Sequence, residues 1–362
     1  MDSAPKNNHV YIQLLELIRN KKPCVLATVT GTHGSTPQKS GSSAIFDKKK
    51  LLTGTVGGGA VELAIGEIAA EAIHSKKSGY FHFDLDNDIS DIEAAICGGG
   101  MSILVDADPE KHVEVFEEIK ISGINRIPGV LVSFCGSGLS NCDGIKRFWL
   151  TSDNLAKFSE IIPYEIIVAA TEMLNNSNAD EFREIAMPGS KENELKLAFL
   201  ESIVPSPQLI IAGAGHVGKA LSHLGKLLDF EVTVWDDRPE YANKTNLPDA
   251  DKILCGTLDE TLGNLLADRD SFIVIVTRGH KNDADVLRKF IGSKAGYIGM
   301  IGSRKKIVQV RESFLKNGWA TAEQWAKIHT PIGLEIGSKT VQEIAVSIAA
   351  QLIQVKNQLK NQ

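Results

Sequence analysis

The chain has 362 residues, 43% hydrophobic and 23% charged, with a formal net charge of −6. That length suits two domains, and the composition buries ordinary cores and excludes a disordered chain. The acidic balance without a long basic run argues against a nucleic-acid partner. No apolar run approaches the roughly 18 residues of a membrane span, so no membrane association is expected.

In chain order, the start Met1–His9 is polar and carries no apolar signal segment, which points to a soluble cytoplasmic protein. Val10–Arg19 has apolar residues at helical spacing. Cys24–Thr30 is short, β-branched and apolar, a buried strand, and Gly31–Ser42 reads as a polar loop. Ala44–Asp47 and Leu51–Thr55 form a strand pair around the basic turn Lys48–Lys50. Val61–His74 is helical by composition, and Tyr80–Leu85 and Met101–Asp106 are strands. Further strands are expected at Gly129–Phe134 and Arg147–Leu150. Asn175–Lys191 is polar without periodicity, and Glu194–Ile203 reads as a helix.

Val204-Pro205-Ser206-Pro207 marks the domain change, because each proline disfavours helix before it. The domains are therefore 1–204, a mixed α/β domain, and 205–362. In the second, Leu209–Ala212, Glu231–Trp235, Ile253–Cys255, Phe272–Val276 and Tyr297–Met300 are strands, mostly separated by helical patterns. That alternation predicts right-handed βαβ units and a parallel, Rossmann-like sheet. Val341–Gln358 closes the chain as a long amphipathic helix.

Gly213-Ala214-Gly215-His216-Val217-Gly218 fits G-x-G-x-x-G between a strand and a helix. Gly213 permits a tight turn, Gly215 lets the backbone approach a diphosphate, and Gly218 brings helix and strand together. The helix N-terminus supplies N–H donors and partial positive charge for an anion. Asp236, or alternatively Asp237, stands where a carboxylate binds ribose hydroxyls. The same glycines also suit a fold in which they serve packing alone. Thr277-Arg278-Gly279-His280 follows a strand, at the end of the sheet where such folds bind ligands, with Asp283 and Asp285 behind it. These groups suit contacts to phosphate and a polar ring, or a helix N-cap with His280 merely hydrogen-bonded. Gly299–Arg304 repeats the strand, glycine, serine-cap and basic-helix theme. Gly333–Thr340 is one residue short of a P-loop and is rejected as one.

In the first half, Gly57-Gly58-Gly59 precedes a helix carrying Glu62, a loop able to cradle phosphate through backbone N–H groups. Cys97-Gly98-Gly99 leaves a thiol unshielded by neighbouring side chains, suited to a soft metal or to sulfur, or alternatively a small buried cysteine at a turn. The five cysteines are odd in number and scattered, which argues against a disulfide framework and for a reducing compartment; Cys135 and Cys142 read as free thiols near a turn.

Taken together, these segments resemble the XdhC/CoxI family of xanthine dehydrogenase accessory factors. The resemblance rests on Ala27–Val29, Gly34–Pro37, Gly54–Glu62 and Cys97–Gly99 in the first half. In the second it rests on Gly213–His216, Asp236–Pro239, Thr277–His280, Tyr297–Arg304, Pro331–Leu334 and Glu343–Ile348. It implies a cytoplasmic chaperone, more a binder than a catalyst. Such a protein binds the molybdenum cofactor (molybdopterin or its dinucleotide), supports its sulfuration and helps insert it into an apo molybdenum hydroxylase. It further implies a cysteine desulfurase-type sulfur donor and a homodimer. Gly57, Gly58, Gly59, Glu62, Cys97, Gly98, Gly99, Gly213, Gly215, His216, Gly218, Asp236, Arg278 and His280 would contact the cofactor, Cys97 facing its metal or sulfur. The chain departs from the family at Gln38, where a basic residue is frequent, at Val341-Gln342, where Pro-Glu is usual, and at Gln351, where Glu is frequent. The alternative is an NAD(P)-dependent oxidoreductase using the same Rossmann half; against it, no Tyr-x-x-x-Lys proton relay is evident.

Overall fold

The computed structural model describes residues 7–85, 99–136, 144–176, 181–188, 195–265 and 267–360. The chain divides into two compact units, Met1–Pro205 and Ser206–Gln362.

In chain order the first unit contains α1 (Asn7–Arg19), β1 (Val25–Gly34), β2 (Ser43–Phe46), β3 (Leu51–Gly54), α2 (Gly59–Ser75), β4 (Gly79–Asp84) and β5 (Gly99–Asp106). It continues with α3 (Val113–Ile124), β6 (Gly129–Cys135), β7 (Ile145–Leu150), α4 (Leu155–Phe158), α5 (Tyr164–Asn175), β8 (Phe182–Pro188) and β9 (Leu195–Ile203). Two antiparallel sheets result, in the orders β3-β2-β1-β5-β4 and β7-β6-β9-β8. Val25, Ala27 and Val29 point to a core shared with Val61, Ile65 and Ala69 of α2. Leu26, on the opposite face of β1, joins Tyr11 and Leu14 of α1, Phe116 of α3 and Leu131 of β6. Burial on both faces explains why β1 reads as a continuous apolar run.

Three expectations are corrected here. Residues 195–203, expected to be helical, form β9, and part of the polar stretch before it forms its partner β8. β9 is central and covered on both sides, with Ala198 and Leu200 against Ile166 and Ala170 of α5 and Phe199 against Tyr80 and Leu104. A strand with two apolar neighbourhoods loses the alternation that identifies strands. Second, β1 runs on to Gly34 into the expected loop, held by pairing of His33 and Gly34 with Gly100 and Gly99. Third, Cys135, expected to be a free thiol, is disulfide-bonded, while Cys24 and Cys255 are free. The structure adds the helices α3 and α5 to the elements expected from the sequence.

The second unit is β10 (Gln208–Ala212), α6 (His216–Leu227), β11 (Glu231–Asp236), β12 (Lys252–Cys255), β13 (Ser271–Ile275), α7 (His280–Phe290), β14 (Tyr297–Met300), α8 (Arg304–Lys316), α9 (Ala322–Ala326) and α10 (Val341–Lys360). The strands form one parallel sheet in the order β12-β11-β10-β13-β14. Numbered within the unit, that is 3-2-1-4-5, the order of a Rossmann sheet. Leu209 and Ile211 face Leu221 of α6 and Ile348 and Leu352 of α10. Ile210 and Ala212 face Leu287 and Phe290 of α7 and Phe314 of α8. The fold is thus α/β, with a mixed first unit and a parallel Rossmann second. Among the described residues, no helix is long and apolar enough to cross a membrane.

Candidate functional site

The strand order reverses between β10 and β13, so the crevice outside their carboxyl ends is the expected ligand position. The glycine turn enters it from β10. Gly213 has φ +117°, and a Cβ there would sit 2.5 Å from the Val276 carbonyl oxygen. The turn therefore lies directly against the chain leaving β13. A Cβ on Gly218 would fall 1.8 Å from the Gly213 carbonyl oxygen, so helix α6 packs backbone to backbone on the turn. Gly215 differs: it is the N-cap of α6 with φ −68°, and a Cβ there meets nothing within 4 Å. Among the described residues no side chain caps this helix, so its first N–H groups are left without a capping acceptor, as an anion cradle requires. His216, the first helical residue, is exposed.

Asp236 ends β11 and is 3% exposed. One carboxylate oxygen accepts from Ala214 N at 2.8 Å and from Arg238 Nη2 at 3.0 Å. The other accepts from Arg238 N at 3.1 Å and Nε at 2.8 Å. Desolvation pushes its pKa up, but these bonds outweigh it and hold the carboxyl below the usual aspartate value. Asp236 thus ties the glycine turn to Arg238, whose guanidinium lies 3.9 Å over the Tyr241 ring. Asp237, 51% exposed, is the carboxylate available at the open end of β11. Asn246 completes the brace by donating to the Ala214 carbonyl at 3.0 Å. Arg238, Tyr241 and Asn246 lie outside the glycine motif, and only folding of the β11–β12 connection brings Asn246 to it.

The other wall is Thr277–Gly279. Asp283, fully buried in the first turn of α7, accepts from Thr277 N at 3.1 Å and Thr277 Oγ1 at 2.5 Å, and pairs with Lys306 of α8. This buried pair fixes the loop from beneath. Arg278 is exposed above it. Gly279 is the N-cap of α7, and a Cβ there also meets nothing within 4 Å. His280 opens α7, with its side chain outside the described residues. Ser303 caps α8 by accepting from Lys306 N, as its sequence pattern predicts. Gly333, in the rejected P-loop, is instead packed against Ser347, and Gln351 accepts from Tyr297 Oη at 2.6 Å and Gly333 N at 2.9 Å.

In the first unit, Gly57, Gly58 and Gly59 all have positive φ, and Gly58 caps α2 with open space around its Cβ position. Glu62 turns back into this loop, accepting from Thr55 Oγ1 at 2.6 Å and Val56 N at 3.3 Å, so its carboxylate shapes the loop. Gly99 is dictated by packing, since its Cβ would lie 2.4 Å from the His33 carbonyl oxygen. Cys97 and Gly98 lie outside the described residues. Among the described residues, no group of three or more His, Cys, Asp or Glu side chains could hold a metal ion. One polar cluster carried no sequence signature: His82 Nδ1 lies 2.8 Å from Ser102 Oγ, and Tyr80 Oη donates to Glu184 at 3.3 Å. Burial pushes the Glu184 carboxyl up.

Comparison with known proteins bears on both units. Residues 209–352 match the XdhC Rossmann domain, and residues 17–84 match the XdhC and CoxI family. A Bacillus subtilis (strain 168) protein, named as a probable xanthine dehydrogenase subunit, is 24% identical over 95% of this chain and 96% of its own. An uncharacterized Escherichia coli (strain K12) protein, YqeB, is 22% identical over 96% of this chain, which spans only 46% of YqeB's length. A crystal structure described as a xanthine dehydrogenase from Bacillus halodurans shares the fold, with a TM-score of 0.69 at 23% identity over 96% of each chain.

Proposed function

Because this chain belongs to the XdhC and CoxI family, we propose that it is an accessory factor in the maturation of a molybdenum hydroxylase such as xanthine dehydrogenase. In this reading it binds the molybdenum cofactor, supports its sulfuration and helps deliver it to the apo-enzyme. The observation that carries the reading is the crevice at the β10/β13 switch point, where Gly215 and Gly279 leave two adjacent helix N-termini open. Two such termini suit the phosphate or nucleotide tail of the cofactor. The cofactor, when bound, supplies molybdenum held by a dithiolene. The chain's own part is to grip the tail through the N–H groups of α6, with Arg278 as an exposed cation and Asp237 facing a ribose. The sulfur-handling role of Cys97, the cysteine desulfurase-type donor and a homodimeric assembly belong to the same proposal. The test is to purify the chain from cofactor-producing cells and assay bound molybdopterin. Loss of bound pterin in Gly215→Ala and Arg278→Ala supports the reading; no bound pterin in the wild type overturns it.

A second reading is favoured by one observation, the exposed Asp237 carboxylate at the end of β11, where NAD-binding sheets hold ribose hydroxyls. Under it the chain would be an NAD(P)-dependent oxidoreductase. A fluorescence titration showing micromolar nicotinamide-nucleotide binding, together with hydride transfer, would establish it over the first.

A further inference from the structure

On the flank of α6 lies a cavity of about 490 Å³, lined by His216, Lys219, Ser222 and His223 of α6, Asp249 of the β11–β12 connection, and Gln342 of α10. None of Gly213, Gly215, Thr277 or Arg278 lines it. His216, Lys219 and His223 recur at helical spacing and form one wall, all three exposed. Lys219 has no ion-pair partner among the described residues, whereas the acid of the lining, Asp249, is matched by His223 Nδ1 at 3.0 Å. That contact leaves His223 Nε2 for a ligand. Opposite stands the first turn of α10, a helix of 20 residues. Its Thr340 accepts from Glu343 N at 3.2 Å, while Glu343 turns back to Thr340 N at 2.9 Å, a reciprocal cap. The N–H groups of Val341 and Gln342 belong to the first turn and have no intrahelical acceptor.

A second, independent observation points the same way. Ser222 lines the cavity and is 1% exposed, yet its hydroxyl has no hydrogen-bond partner among the described residues. Buried hydroxyls are ordinarily paired, and an orphan at a cavity wall marks a missing partner. We propose that this cavity is a binding site for a phosphate group carried by a small organic molecule. The phosphate sits between Lys219, His223 and the α10 N-terminus, and the Ser222 hydroxyl donates to it. The volume lies within the range of small-molecule sites, well beyond what a bare phosphate occupies. Leu247, Pro248 and Val341 give the rest of the ligand an apolar wall. The site does not depend on the cofactor reading, and its ligand need not be that cofactor.

The test is calorimetric titration of the full chain at low ionic strength with inorganic phosphate and, separately, with phenyl phosphate. Saturable binding of either is expected, and tighter binding of phenyl phosphate assigns the site to a phosphorylated organic molecule over free phosphate. Lys219→Ala should weaken it about tenfold or more, the scale of one charge-assisted hydrogen bond. Gln342→Glu, an exposed change that sets a negative charge at the helix start, should do the same and keeps the test valid if Lys219→Ala fails to fold. Lys294→Ala, an exposed change outside both the cavity and the switch-point crevice, should leave the affinity unchanged. No saturable heat with either probe, or full affinity in both Lys219→Ala and Gln342→Glu, overturns the proposal. So does selective loss of binding in Arg278→Ala, which would put the anion in the switch-point crevice.

Discussion

Gly215 and Gly218 lie three residues apart in one motif, and the structure assigns them opposite costs. A methyl group at Gly218 would fall 1.8 Å from the Gly213 carbonyl oxygen and 2.9 Å from its carbon. The obstacle is backbone, so no rotamer change relieves it, and α6 must move away from β10. Alanine in place of glycine within a helix gains about 1 kcal/mol of propensity. Overpacking of a tight contact costs about 1–3 kcal/mol or more, and a backbone clash of this size belongs at the upper end. The net expectation for Gly218→Ala is destabilisation by about 1–2 kcal/mol, or roughly 2–8 °C in Tm at about 2–4 °C per kcal/mol for a unit of this size. Gly215→Ala meets no atom within 4 Å and keeps an ordinary φ of −68°. It should change stability by less than about 1 kcal/mol, the scale of an N-cap exchange, yet place a methyl where a phosphate approaches the N–H groups. Thermal unfolding of both variants, followed by tryptophan fluorescence, reads the first effect; Trp235, Trp319 and Trp325 all lie in the second unit. Bound molybdopterin after co-production with the cofactor reads the second. Wild-type stability in Gly218→Ala, or unchanged cofactor loading in Gly215→Ala, would refute the division of labour.

Other consequences follow from burial and charge. Lys306→Met strands the fully buried Asp283 and should cost about 3–5 kcal/mol in urea unfolding, with a smaller loss in the double variant Lys306→Met/Asp283→Leu. His329 stacks on Tyr297 at 4.5 Å, and burial holds its pKa below the ordinary histidine value. The folded state therefore keeps it neutral while the unfolded chain takes up a proton below about pH 6.5, so stability should fall as pH drops through that value. His329→Phe should flatten the slope between about pH 7.5 and 5.5; an unchanged slope counts against this assignment. Burial pushes the Cys24 thiol up to about 12, whereas Cys255 is exposed. Alkylation of the native protein at about pH 8, read by peptide mass spectrometry, should label Cys255 and reach Cys24 only after unfolding.

The second unit is largely legible in the sequence because its signals are local. The buried parallel strands β10, β11, β13 and β14 give short apolar runs, and Gly213 and Gly218 of the turn answer contacts with the next strand and with the turn itself, while Gly215 keeps the helix start open. The central β9 reads as a helix because its two faces pack on different partners, Ile166 of α5 on one side and Tyr80 of β4 on the other. Neither partner is near it in sequence, so no local period records the pairing.

By itself, then, the sequence determined the alternation of strand and helix, the glycine turn, the Ser303 cap and the resemblance that names the family. Only the tertiary structure decided what the neighbouring carboxylates do. Asp236 and Asp237 are chemically identical and adjacent, but Arg238 and the Ala214 N–H of the glycine turn close on the first, while the second stays 51% exposed, with Arg238 Nε 3.9 Å and Asn282 Nδ2 3.5 Å away. The flanking cavity is likewise beyond sequence, since Lys219, Asp249 and Gln342 meet there from three distant segments. Residue type sets which bonds a group can make, whereas packing of remote elements sets which bonds it has already made, and hence which groups remain for a ligand.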